Sequence, residues 1–204
     1  MSNNTVDNDR LNTLVDGIFA IVLTLLVLDI RVPEVASEAA LLDQLTALWP
    51  QFFSYVLSFF ILGLFWLGHQ LESHYIRKSD DVHLWLSLLF MLFIALVPFS
   101  SSLLGSYTNS QVAVVIYSSN IFAASLLRYL HWRYISYKYR LIDQRLSAQL
   151  VAATSRAFLS TPLLCLLAIA FSIISVKLSL FLLTVAVTNI FLRIGRFFRY
   201  HVNR

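Results

Sequence analysis

Residues 10–30 read RLNTLVDGIFAIVLTLLVLDI, an apolar run that carries an aspartate, Asp16, a few positions inside its start. A helix needs about 20 largely apolar residues to cross the hydrocarbon core, so 11–30 qualifies as a span. Counted from Leu11, Asp16 lies about 7–8 Å along the helix axis. Its side chain is too short to reach the headgroups from there, and ionisable groups at such depth face a protein interior or a wet cavity. At about 100° per residue, Leu14, Gly17, Ile21, Leu25 and Leu28 share one stripe, with Thr24 at its edge. Asn12 and Asp16, four apart, occupy a different face. The helix therefore combines an apolar stripe with a polar anchor. His69 and Trp66, at the same end of the next apolar run, are the N–H donors expected to hold Asp16, and Arg10 is a third candidate partner.

The rest of the chain fits this reading. Of its 204 residues 58% are hydrophobic and 13% charged, with a mean hydropathy of +0.74. A soluble domain has about 45–50% and about 25%, so the chain reads as an all-α integral membrane protein. Further spans are expected at 48–68, 82–104, 111–132, 157–176 and 178–192, forming with the first a single six-helix domain over 1–204. Continuous apolar runs indicate helices, since barrel strands alternate over about 10 residues. No basic segment with a short apolar run and cleavage site opens the chain, so the first helix is expected to be retained. Pro50 and Pro162 both fall near expected helix starts, where proline is tolerated.

Charge sets the expected topology. With the N-terminus inside, thirteen of the fifteen Lys and Arg residues fall on inner segments and only Arg31 and Lys177 on outer ones. The positive-inside rule then places both termini in the cytoplasm. The outer connection after the first helix is acidic, with Asp29, Glu34, Glu38 and Asp43, and reads either as a solvated loop or as a vestibule that concentrates cations. His74 and His83 read as solvated residues at the inner surface. The stretch 128–145, RYLHWRYISYKYRLIDQR, mixes aromatics with positive charge as an interfacial helix end on anionic lipid does. The net charge of +4 is spread between apolar runs, which excludes a nucleic-acid-binding face. A lone Cys165, with no Cys/His cluster, suggests neither a disulfide nor a structural metal. No GxSxG or HExxH spacing accompanies the Ser, His and Asp residues, so the chain is not read as an enzyme.

Arg10, Asp16 and the run GIFAIVLTLLVLDI resemble the R-x-x-x-F-S-D signature and following segment of the lysosomal and endosomal potassium channels of the transmembrane protein 175 type, in their shorter bacterial branch. FFILGLFWLGHQ, with Trp66 and His69, and LWLSLLFMLFIALVPFSSSLLGSY extend the match to about Tyr107. The signature's Phe-Ser is here Leu14-Val15, so a serine hydroxyl is absent from the motif. The resemblance implies a homotetramer in the bacterial plasma membrane, with four first helices lining a central potassium pathway and no bound cofactor. Its constrictions would be apolar rings at Ile21, Leu25 and Leu28, with Thr24 beside them, in place of a TVGYG filter, which this sequence also lacks. Such a ring strips an ion of water without replacing it, which penalises potassium less than sodium, and it can close by dewetting. The alternative is a proton-coupled transporter or proton pathway using Asp16 and His69, with Asn120 and Arg128 as further relay groups. Against it stands the absence of an internal duplication between helices one to three and four to six.

Overall fold

The computed structural model describes residues 8–31, 37–185 and 187–188. Among these the regular structure is helical, apart from one antiparallel bridge between Ile76 and Ile142. Helix α1 (Asn8–Leu25) tightens into a 3-10 turn, Leu26–Asp29, and is followed by α2 (Glu38–Ala47), α3 (Trp49–Ser73), α4 (Asp81–Ala95), α5 (Val97–Ser106), α6 (Gln111–Ser136) and α7 (Ala148–Ser172). A shorter α8, Val176–Val185, comes last. Five stretches are long and apolar enough to cross a membrane: Asn8–Asp29, Trp49–Ser73, Asp81–Ser106, Gln111–Tyr139 and Ala148–Ser172. The protein is thus a multi-pass membrane protein. Of the sixth expected span, 178–192, positions 186 and 189–192 lie outside the described residues, as do the arginines of 193–204.

Local chemistry explains where the helices begin and break. Ser37 caps α2 by accepting the Ala40 N–H at 3.3 Å, and Pro50 sits in the first turn of α3, where no N–H is required. The expected span 82–104 is divided at Leu96, because Pro98 in the first turn of α5 cannot donate to the α4 ladder. The fifth span begins well before the expected residue 157. Ser147 accepts the Leu150 N–H at 3.2 Å and starts α7 at Ala148, which leaves Pro162 inside the helix rather than near its start. Gln149, Ser155 and Arg156 had hidden this segment from a hydropathy reading.

Between helices in lipid, packing and hydrogen bonds hold the bundle, since lipid tails are as apolar as leucine. Small residues let α3 and α5 approach closely. The Ser58 hydroxyl donates to Ser101 Oγ at 2.8 Å and lies 2.9 Å from the Tyr117 hydroxyl, and Asn120 Nδ2 donates to Ser100 Oγ at 3.1 Å. A Cβ on Gly105 would stand 2.6 Å from Ser54 Oγ and 3.0 Å from the Gln51 Cα.

At the other end of the bundle the α3–α4 and α6–α7 connections are stitched together. Arg77 N–H donates to the Leu141 carbonyl at 2.8 Å and Asp143 N–H to that of Tyr75 at 3.0 Å. Arg77 pairs with Asp143 at 3.3 Å and Arg140 with Asp80 at 3.4 Å. Asp80 also accepts the His83 N–H and the Tyr134 hydroxyl. Burial pushes its carboxyl up, but these donors and Arg140 outweigh burial and hold it below the usual carboxylate range.

Gly105→Ala should lower stability by about 1–3 kcal/mol by forcing α3 and α5 apart, whereas Gly63→Ala, which meets no atom within 4 Å, should not. Thermal unfolding in detergent reads both. Because the Asp80 pKa is depressed in the fold, its stabilisation is present above the unfolded value near 4 and is lost as pH falls through the folded value. Asp80→Asn should therefore flatten the acid limb of an unfolding-versus-pH curve.

Candidate ion pathway and its anchor

Helix α1 is divided lengthwise. Leu11, Val15, Phe19, Val22 and the following Leu26 are buried at three- and four-residue spacing, and α1 lies against α3 and α4. Phe19 meets the Phe90 ring at 6.2 Å. The stripe of Leu14, Gly17, Ile21, Leu25 and Leu28 is the face that the other described residues leave bare, with Ile21 60% and Leu28 69% exposed against 0% for Val15. Thr24 is on the bare side, and its hydroxyl is turned back onto its own helix, 2.8 Å from the Ile21 carbonyl and 3.1 Å from that of Ala20. Asp29 is exposed at the end of the 3-10 turn.

Asp16 is exposed along the same helix but held in place. Its Oδ1 accepts the Trp66 indole N–H at 2.8 Å and the Gln70 amide N–H at 2.7 Å. Two expectations do not survive here. His69 does not reach Asp16: the second donor is Gln70, which stands one turn beyond Trp66 on the same face of α3, whereas His69 is turned about 60° to the other side and is buried. Arg10 is exposed and makes no ion pair among the described residues. The i, i+4 spacing of Trp66 and Gln70 was the available signal for the true pair.

His69 belongs to the side of α3 that carries a deeper cluster. Glu72 is buried, its Oε2 lies 3.3 Å from Arg128 Nη2, and its Oε1 lies 2.8 Å from His131 Nδ1. Arg128 also donates to the Phe65 carbonyl at 2.7 Å and spreads over the Phe158 ring at 4.5 Å. His131 Nε2 in turn lies 2.6 Å from His83 Nδ1, so His83 is buried within the bundle rather than solvated, while His74 is exposed. The cluster joins α3, α4, α6 and α7. Arg128 crosses α3 over Gly68, where a Cβ would stand 2.8 Å from Nη2. A glutamate three residues after His69 was the only sequence hint of this ion pair.

The chain is a helical, multi-pass membrane protein whose α1 keeps an apolar face uncovered by the other described residues. The comparisons name the group. A model of the endosomal/lysosomal potassium channel TMEM175 family matches residues 10–98. The chain is 33% identical over 156 residues to a potassium channel of Streptomyces collinus, covering 74% of this chain and 76% of that one. It is 24% identical over 189 residues to the endosomal/lysosomal proton channel TMEM175 of Danio rerio, covering 90% of this chain and 36% of that protein. The crystal structure of a lysosomal potassium-selective TMEM175 homologue from Chamaesiphon minutus matches with a TM-score of 0.82 at 27% identity, over 92% of this chain and 97% of that one. The chain belongs to the TMEM175 family, whose named members are ion channels and not enzymes.

Trp66→Phe, which keeps the ring and removes one donor to a carboxylate, should cost about 1.5–3 kcal/mol. Glu72→Gln should cost more, about 3–5 kcal/mol, because it leaves Arg128 buried without a counter-charge. Chemical denaturation in a mild detergent measures the order of the two, and equal losses would mean that the buried charge is not what holds α3.

Proposed function

We propose that the chain forms a homotetrameric, potassium-selective channel in a bacterial plasma membrane, with both termini cytoplasmic and α1 lining the pathway. The observation that carries this reading is the bare face of α1. Were it turned to lipid, Thr24 at its edge would be turned with it toward hydrocarbon, where polar groups are costly, and Asp16, exposed on the flank nearer α3, would stand at the lipid boundary. One subunit offers one such face and cannot enclose a path, so several copies must surround an axis. Tetramers follow from the family resemblance.

In that arrangement Ile21, Leu25 and Leu28 form stacked apolar rings. Passage through them costs an ion part of its hydration, which favours potassium over the more tightly hydrated sodium, and a closed ring stops conduction by dewetting. Asp29 stands at the outer mouth and raises the local cation concentration. Asp16, with Trp66 and Gln70, acts as the tether that fixes the rotation of α1, and no cofactor or nucleic acid takes part. A second reading, proton passage, draws on the Danio rerio relative named a proton channel and on the buried His83–His131 contact.

Purified protein in liposomes should pass potassium faster than sodium down an imposed gradient, and Ile21→Asn should bring the two rates together without unfolding the protein. Unchanged preference in the variant would remove the constriction from Ile21. Proton flux down a pH gradient with no preference for potassium over sodium would favour the second reading. Native mass spectrometry should show a tetramer, and only monomer would contradict the assembly.

A further inference from the structure

The cations at the end of the bundle that joins α3 to α4 and α6 to α7 include three that are paired, three that are gathered in one place, and Lys78 and Arg145, which lie apart from both sets. Arg77, Arg140 and Arg128 each face a carboxylate, at Asp143, Asp80 and Glu72. Arg133, Lys138 and Arg156 make no ion pair among the described residues. All three line one open groove of about 680 Å³ between α6 and α7, and among the described residues no carboxylate lines it. Three unmatched positive charges gathered in one concavity ask for an anion.

The groove also has a direction. Its α7 lining recurs at three- and four-residue steps from Ala148 through Arg156 to Leu159, which takes it about 16 Å along the helix. On antiparallel α6 the lining runs from Arg133 to Tyr129 the same way, and the Trp132 indole, 3.1 Å from Ser155 Oγ, sets the two helices level. Lys138 therefore stands at the mouth, Arg133 and Arg156 lie further in, and Tyr129 and Leu159 lie deepest. Lys138 and Tyr139 reach the mouth through consecutive left-handed backbone conformations, φ 50° and 54°, which are uphill for residues with a Cβ. Charge at one end and apolar surface at the other, on a membrane-spanning helix pair, matches an amphiphile rather than a free anion.

We propose that this groove binds one anionic phospholipid, its phosphate held among Arg133, Lys138 and Arg156 and an acyl chain laid along Tyr129 and Leu159. The leaflet that supplies it rests on the orientation proposed above. Binding itself does not depend on conduction.

Native mass spectrometry of the full chain, titrated with phosphatidylglycerol, phosphatidylcholine or water-soluble glycerol 3-phosphate, tests this. Phosphatidylglycerol should bind roughly tenfold or more tightly than phosphatidylcholine, equivalent to about 1.4 kcal/mol, and glycerol 3-phosphate should not displace it. The double variant Arg133→Gln, Arg156→Gln should abolish that preference, while Lys78→Gln with Arg145→Gln, which removes the same charge outside the groove, should keep it. Equal binding of the two lipids by the unaltered protein would overturn the proposal without any variant. So would equal losses in the two double variants, which would mean a diffuse surface field, or displacement by glycerol 3-phosphate, which would mean a headgroup site without lipid. A chain that shows the preference but passes no potassium would uphold the groove and overturn the channel reading alone.

Discussion

The buried pair of Glu72 and Arg128 is the constraint on which the arrangement of α3 depends. Removing either partner leaves an uncompensated charge in a low-dielectric interior, at a cost of about 3–5 kcal/mol, so the pair persists as a unit. Arg128 also satisfies the Phe65 carbonyl and lies flat over Gly68, a position where any side chain would displace it. These contacts fix both the depth of α3 and its rotation against α6. With that rotation set, Trp66 and Gln70 are turned toward α1, and Asp16 has one place to dock.

The attachment of α1 is economical in consequence. A helix in lipid gains little from burying leucine against leucine, so its apolar contacts with α3 and α4 determine shape more than strength. The carboxylate of Asp16 contributes direction, through two short hydrogen bonds from one face of α3. What remains of α1 is a largely apolar stripe with no partner among the described residues of its own subunit. The proposed pore is made from that remainder, which is why a structural anchor and a conducting face can share one helix without competing for the same residues.

Much of this was legible in the sequence because periodicity and depth are one-dimensional quantities. The α1 stripe follows from residue spacing, and Trp66 was expected as a partner of Asp16 because it stands at the same end of the next apolar run. What stayed hidden was rotational or tertiary. His69 and Gln70 are adjacent in sequence, and only the packing of α3 decides which of them faces Asp16. His83 follows the helix cap Asp80 closely and reads as solvated, yet it is drawn inside by His131, 48 positions away. Arg128 reads as an interfacial cation until Glu72 is seen beside it. The start of α7 was missed for a different reason, since Ser147 caps an opening stretch of helix that carries Gln149, Ser155 and Arg156 and so gives no apolar run.

Water-soluble thiol reagents test the central claim, that the bare face of α1 is the conducting surface, most directly. The single native cysteine, Cys165, is buried, so Ile21→Cys introduces one reactive site on that face. The account predicts an irreversible fall in potassium current when a methanethiosulfonate reagent is applied to Ile21→Cys, and no change for Leu166→Cys on the exposed side of α7. A Ile21→Cys channel that conducts normally and is untouched by the reagent, with block at Leu166→Cys instead, would contradict it.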